Sequence, residues 1–313
     1  MAESRTVVAR RLAAPEGPTI VTDDIVMNVC SLDRDAAWPT KGGDITACRL
    51  GDPDSTRVIF STSTEEVKGI PASLAFGPDG ALYVADEGHR AMLRVTADLE
   101  QTEFITDFEG RRVNGPNDLS FDEDGSLYFT DPWTSSADHP IGAVYGYDWS
   151  VGRLHRIDDG MAFPNGIIAR AGYLYVAETF TNTIWRYRIN GPGRAGDRAA
   201  FCRLPDLPDA AVQGPDGMCF DASGHLYVTH LASSHVFRFD ADGREVARIQ
   251  VGGTHPTNVC FAGPSLDQLL VTVDDAGELQ RIDLGTEGDR LNFCPSRAPD
   301  HAWAVTLTTM LEA

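Results

Sequence analysis

The chain reads as all-β, a six-bladed β-propeller, on three observations. A proline followed by an apolar strand recurs at Pro18, Pro71, Pro116, Pro164, Pro215 and Pro256. The spacing, about 40–50 residues, is that of propeller blades or solenoid units. Four copies then repeat one strand phrase about ten residues on: Leu82-Tyr83-Val84, Leu127-Tyr128-Phe129, Leu174-Tyr175-Val176 and Leu226-Tyr227-Val228. Between the two strands stand turn pairs such as Asp79-Gly80, Asp124-Gly125 and Ser223-Gly224, where glycine takes a positive φ without a Cβ clash. The repeats show no long helical period of apolar residues. Three to four antiparallel strands per unit of this length make a blade, not a solenoid turn.

The first unit is the least regular. Residues 25–29 supply its second strand and 44–50 its third, with a loop holding Trp38-Pro39 between them. Its acid, in Glu16-Gly17-Pro18, precedes the proline. Units two to five give first strands such as 73–76 and 119–121 and third strands such as 91–95, 183–189 and 235–239. The sixth is eroded, with 267–273 in place of the strand phrase and 278–284 as its third strand. A ring must close, because an open edge strand invites aggregation. Residues 6–12 (TVVARRL) provide a closing strand for blade six. We therefore expect a single propeller domain over 1–313, its ring spanning about 5–290, with a C-terminal tail at 291–313 that carries no blade phase.

The composition is that of an ordinary globular protein: 313 residues, 42% hydrophobic, 23% charged. A formal net charge of −20 argues against nucleic acid and anionic membrane as partners. No segment approaches the ~18 apolar residues of a membrane helix. The first eleven residues lack the apolar core of a signal peptide, so a cytoplasmic location is expected. Cys30, Cys48, Cys202, Cys219, Cys260 and Cys294 form no C-x-x-C pair. Buried free thiols fit a reducing compartment, with a Cys30–Cys48 bridge as the alternative.

The first strand of a blade lines the central channel, and its entry faces one end of it. Glu16, Asn117, Asn165 and Asp216 share that entry phase. Two carboxylates and two amides converging on an axis suit a hard divalent cation. Calcium takes 6–8 oxygen ligands in loose geometry, and waters or substrate would complete its shell. Zinc, manganese or magnesium could use the same cage. No imidazole or thiolate is among the four, which argues against structural zinc. Each residue taken alone is also a common turn residue; the shared phase carries the metal reading. Residues just past the second strands (Asp86, Glu87, Asp131, Glu178, His230, Asp274) either reach the channel or cap strand ends. Trp133, Phe180 and His230 are the expected pocket wall, with His255 of blade six beside Pro256. There is no G-x-S-x-G elbow, and the glycines follow hairpin phase, not a phosphate loop.

The phrases EGP (16–18), NGPNDLSFDEDGSLYFTDP (114–132), FPNGIIA (163–169), LYVAET (174–179) and GPDGMCFD (214–221) resemble the senescence-marker-protein (regucalcin)/gluconolactonase family over about 16–273. That resemblance implies a six-bladed propeller, one divalent metal and lactone hydrolysis. It places the ligands on Glu16, Asn165 and Asp216, with Asn117 at or beside the metal. The related diisopropyl-fluorophosphatase-type propellers use an acid, two amides and an acid as calcium ligands, which matches all four. The arginine that precedes the Asn-Asp pair in sugar-acid binders is replaced here by Gly115-Pro116, and Thr19-Ile20 and Phe261-Ala262-Gly263 also depart from the usual pattern.

The expected function is metal-dependent opening of a lactone, of sugar type or more apolar, with Asp216 as general base or, alternatively, as nucleophile. Its alternatives are an arylesterase or phosphotriesterase-like hydrolase, a lyase or isomerase, and a non-catalytic binding propeller. The expected partner is a small lactone or ester; the sequence leaves the oligomeric state open.

Overall fold

Six antiparallel sheets of four strands form the propeller. The computed structural model describes residues 4–207, 209–290, 292–293 and 301–312. After β1 (Arg5–Arg10), blade one comprises β2 (Pro15–Ile20), β3 (Ile25–Cys30), β4 (Asp44–Arg49) and β5 (Asp52–Ser61). Blade two is β6 (Pro71–Phe76), β7 (Leu82–Asp86), β8 (Ala91–Val95) and β9 (Gln101–Ile105). A small hairpin, β10 (Asp107–Phe108) and β11 (Arg111–Arg112), precedes blade three: β12 (Leu119–Phe121), β13 (Leu127–Asp131), β14 (Gly142–Asp148) and β15 (Arg153–Met161). Blade four is β16 (Pro164–Arg170), β17 (Tyr173–Glu178), β18 (Thr183–Gly191) and β19 (Arg194–Arg203). Blade five is β20 (Gly214–Phe220), β21 (Leu226–Leu231), β22 (His235–Phe239) and β23 (Glu245–Gln250). Blade six has β24 (Pro256–Ala262), β25 (Gln268–Val273) and β26 (Glu278–Asp283), with β1 as its outermost strand. Val7 lies opposite Gln280 in that last pairing. The N-terminal strand thus completes blade six and closes the ring.

Five of the six innermost strands share an irregularity that aims the site. Register slips between Glu16 and Thr19, Pro71 and Ser73, Pro164 and Ile167, Pro215 and Met218, and Pro256 and Val259. A bulge bends its strand and re-aims a side chain. These bulges also correct the phase read for blade one. Pro15 lies opposite Cys30 as Pro164 lies opposite Glu178 and Pro256 opposite Val273. The repeat proline of blade one is therefore Pro15, not Pro18, and Glu16 follows it as Asn165 follows Pro164. The glycines after three of these residues allow close packing between blades. A Cβ on Gly17 would lie 2.6 Å from Ser73 Cα, and one on Gly166 would lie 2.2 Å from the Asp216 carbonyl oxygen.

A ring of polar contacts then fastens each blade to the next. Ser31 donates its hydroxyl to the Pro71 carbonyl at 2.6 Å, Thr130 to Asn165 at 2.7 Å, and Thr179 to Pro215 at 2.8 Å. Thr229 donates to the Thr257 carbonyl at 2.7 Å, and Thr257 to that of Pro15 at 2.9 Å. Between blades two and three the link is the Asn117 amide, which donates to Glu87 at 2.8 Å. Each such bond contributes about 1 kcal/mol net. Their placement at one level holds the entry residues of the six inner strands in fixed relation.

Tail residues line the opposite end of the channel. From β26 the chain crosses the far ends of the inner strands: Asp289 takes the Phe220 carbonyl, and its carboxylate pairs with Arg170 at 2.5 Å. Asn292 donates to the Phe121 carbonyl at 2.8 Å. Helix α1 (Ala302–Glu312) then docks between blades one and two, burying Trp303, Ala304, Leu307 and Leu311 on one face. Trp303 is fully buried, its ring 5.9 Å from Phe76 and 6.5 Å from Phe60. Among the described residues no helix is long and apolar enough to cross a membrane. Cys30, Cys48, Cys202, Cys219 and Cys260 are buried free thiols, so the Cys30–Cys48 bridge does not form; Cys294 lies outside the described residues.

Candidate functional site

The open end of the channel holds a cavity of about 280 Å³, and the inner strands build its floor. The six residues after the repeat prolines, Glu16, Ala72, Asn117, Asn165, Asp216 and Thr257, all line it. The structure therefore brings together the four expected ligands. Asn117 reaches the floor from an irregular entry: its N–H bonds the Thr130 carbonyl, and β12 begins only at Leu119.

Local contacts orient the donors. The Asn117 amide nitrogen donates to Glu87, and that of Asn165 donates to the Thr179 hydroxyl at 3.2 Å. With both nitrogens engaged, the carbonyl oxygens of the two amides are the atoms free to accept. Glu16 accepts the N–H of Gly17 at 3.1 Å. Two carboxylates and two amide oxygens make an oxygen-only donor set of the kind Ca²⁺ or Mg²⁺ takes. Among the described residues no three His, Cys, Asp or Glu side chains form a metal cluster, so any cation here would rely on the amides and on water.

The electrostatics point the same way. Burial, opposed by the Gly17 N–H, pushes the Glu16 carboxyl up to about 8. Burial, with the charge of Glu16 second, raises Asp216 well above the usual carboxylate range. Glu87 is pushed up to about 8 by burial, with the Asn117 amide opposing. Asp118, just below the floor, rises to about 6 for the same reason despite N–H donation from Ile167 and Leu119. Buried carboxylates in such number repel one another and take up protons unless a cation enters. Among the described lining residues the one cationic side chain, Arg34, already pairs with Asp274.

The expected pocket wall divides. Phe180 lines the cavity. Trp133, His230 and His255 do not. Asp131 accepts the N–H groups of Asn114 and Gly115 at 2.9 and 2.6 Å. The chain after it turns so that Trp133 packs on Gly115, where an added Cβ would sit 2.7 Å from the tryptophan Cβ. His230 is fully buried, with Nδ1 against the Leu231 carbonyl at 2.8 Å and Nε2 against that of Pro205 at 2.9 Å. His255 is half-exposed and bonded to Thr254 beside Asp275. The strand-end acids divide too. Glu87 and Asp274 line the cavity. Asp86 caps the N–H of Ile70 at 3.0 Å, and Glu178 caps that of Ala162 at 2.6 Å. Sequence reasoning missed Arg34, Leu32 and Val212, which come from loops without a counterpart in other blades and so carry no repeat signal.

A six-bladed propeller with an acid-and-amide cluster at one channel mouth is the class that fold and site define. The sequence profile of the SMP-30/Gluconolactonase/LRE-like region matches residues 35–274, and the chain belongs to that family of lactonase-type hydrolases. It is 31% identical over 254 residues to diisopropyl-fluorophosphatase of Loligo vulgaris, covering 76% of this chain and 79% of that one. It is 28% identical over 247 residues to a gluconolactonase of Zymomonas mobilis, covering 72% and 69%. A pentonolactonase of Haloferax volcanii is 26% identical over 284 residues, covering 78% and 94%. Among solved structures, a luciferin-regenerating enzyme superposes with a TM-score of 0.75 at 15% identity over 94% of this chain and 99% of that one. A regucalcin of Agrobacterium tumefaciens, described as calcium-binding, gives 0.70 at 21% over 90% and 94%. At these identities the structural likeness speaks for the fold.

Proposed function

We propose that the protein opens a lactone by hydrolysis at the channel-mouth cavity, with one divalent cation, Ca²⁺ first, held by Glu16, Asn117, Asn165 and Asp216. The observation that carries this reading is the convergence of two carboxylates and two amides, their nitrogens tied back, with the one cation among the described lining residues already paired. A bound divalent cation supplies Lewis-acid polarisation of the substrate carbonyl and balances the floor's negative charge. The chain's own residues supply the rest. Asp216 accepts the proton of the attacking water as its oxygen bonds the carbonyl carbon. The ring C–O bond then breaks, and the proton passes to the departing alkoxide, giving the hydroxy acid. Glu87 fixes the Asn117 amide, and Thr179 that of Asn165. The 31% identity to a diisopropyl-fluorophosphatase favours one second reading, phosphotriester hydrolysis at the same floor.

The test is turnover of lactones, aryl esters and a phosphotriester by protein loaded with Ca²⁺, Mn²⁺, Mg²⁺ or Zn²⁺, against chelated protein. Lactone turnover that requires metal, and that falls about 10²–10⁴-fold in Asp216→Asn, supports the proposal. Turnover confined to the phosphotriester supports the second reading. Full activity in Asp216→Asn excludes Asp216 as base.

A further inference from the structure

Above its polar floor the cavity carries an apolar collar. Seven large hydrophobic side chains are exposed among the described residues, and three of them, Leu32, Phe180 and Val212, line this one cavity at 44%, 36% and 50% exposure. They come from three different loops, in blade one, after β17 and before β20. Leu231 and Phe163 continue the rim. Phe180 rests edge-on against Phe163, ring centroids 5.9 Å apart. Phe163 itself sits at φ 64, a conformation that is uncommon for a bulky residue and has to be held by its surroundings. It is held there because its carbonyl accepts the Thr179 N–H at 3.0 Å. The fold thus fixes the Phe163–Phe180 pair at the mouth.

The polar side chains of the wall are engaged elsewhere. The hydroxyls of Ser31, Thr179 and Thr257 donate to the carbonyls of Pro71, Pro215 and Pro15. Arg34 pairs with Asp274, and Glu87 accepts from Asn117. A polyhydroxylated ring would find acceptors only at the floor carboxylates and amides, and any hydroxyl held against Leu32, Phe163, Phe180, Val212 or Leu231 would lose its water without gaining a partner. An anionic ring would find no unpaired cation among the lining residues. An alkyl or aryl substituent would instead cover exposed leucine, valine and phenylalanine. The volume, near the lower end of the ~300–1,000 Å³ typical of small-molecule sites, suits one ring with a short substituent.

Resting on the lactone-opening reading, we propose that the substrates are neutral lactones bearing an apolar substituent, not sugar lactones, and that Leu32, Phe180 and Val212 set this preference. The test is kcat/KM of the metal-loaded enzyme for δ-valerolactone, its δ-alkyl derivatives from methyl to pentyl, and D-glucono-δ-lactone. Burial of one methylene is worth about 0.8 kcal/mol, or roughly fourfold. We expect kcat/KM to rise about fourfold per added methylene over the first few, with gluconolactone below the unsubstituted ring. Val212→Ser and Phe180→Ser should each lower the pentyl-to-methyl ratio. A flat series, or gluconolactone as the best substrate, overturns the collar while leaving lactone opening intact. If no lactone is turned over with any metal, the reaction reading fails, and calorimetry with 6-alkyl-2-piperidones, which are not hydrolysed, tests the collar alone. Affinity that climbs with chain length sustains it, and affinity independent of chain length overturns it.

Discussion

Gly166→Ala tests whether the site depends on the close approach of neighbouring blades. The added Cβ would lie 2.2 Å from the Asp216 carbonyl oxygen and 3.0 Å from Gly217 Cα, where ordinary contact begins at about 3.4 Å. Both obstacles are backbone, so about 1 Å of retreat must come from the strand that carries Asp216. Overpacking of this kind costs about 1–3 kcal/mol of stability. A displacement of about 1 Å in a reacting group costs on the order of 10²-fold in rate. Gly217→Ala first meets the Asn258 side-chain amide, not the strand that carries Asp216, so its effect on Asp216 should be smaller. Gly51→Ala, with nothing within 4 Å, is the control. Calcium affinity by calorimetry, lactone turnover and urea melts would be measured on all three. The expected order of damage is Gly166, then Gly217, then Gly51. Wild-type calcium affinity and turnover in Gly166→Ala would refute the claim that interblade contact positions Asp216.

Three further outcomes follow from the same contacts. Glu16→Gln removes one anionic donor; calcium affinity should fall on the order of 10–100-fold or more, and excess calcium should restore much of the turnover. For pH, Glu16 and Glu87 are held near 8 in the cation-free fold against an ordinary 4.5. Between those values the folded state binds more protons than the unfolded one, so the melting temperature of chelated protein should fall as pH rises from about 5 to 8. Stabilisation by added calcium should grow over the same window; a chelated protein that gains stability across it would contradict the burial of these acids. Trp303→Ala should cost about 3–5 kcal/mol in denaturant melts, as for other buried aromatics, with calcium affinity unchanged.

Repeat phase made the floor legible and left the mouth hidden, for physical reasons. Phase says which residues occupy equivalent places on equivalent strands, so Asn117, Asn165 and Asp216 could be aligned by eye. It erred at blade one because Pro15 and Pro18 both flank Glu16, and only the bulge between Glu16 and Thr19 shows which of them pairs across to β3. Beyond the strand ends, phase predicts position but not direction. Glu87, His230 and Asp274 all lie just past a second strand. Yet Glu87 and Asp274 line the cavity while His230 turns into the protein to reach two carbonyls. Trp133 was misread for a related reason: the Asp131 cap at the start of blade three folds its segment over Gly115.

The same division bears on how this fold acquires substrates. The floor residues belong to strands whose bulges, glycines and hydroxyl links are constrained by ring closure, so changing one disturbs its neighbours. The side chains of Leu32, Phe180 and Val212 make no link in the interblade ring, although Leu32 and Phe180 directly follow the linking residues Ser31 and Thr179, and each is at least a third exposed. A surface substitution there costs little stability, typically within about 0.5 kcal/mol. The polar floor can therefore stay fixed while the collar changes what enters. On this argument the sugar-lactonase names among this chain's relatives inform the chemistry of the floor, and the substrate has to be read from the mouth.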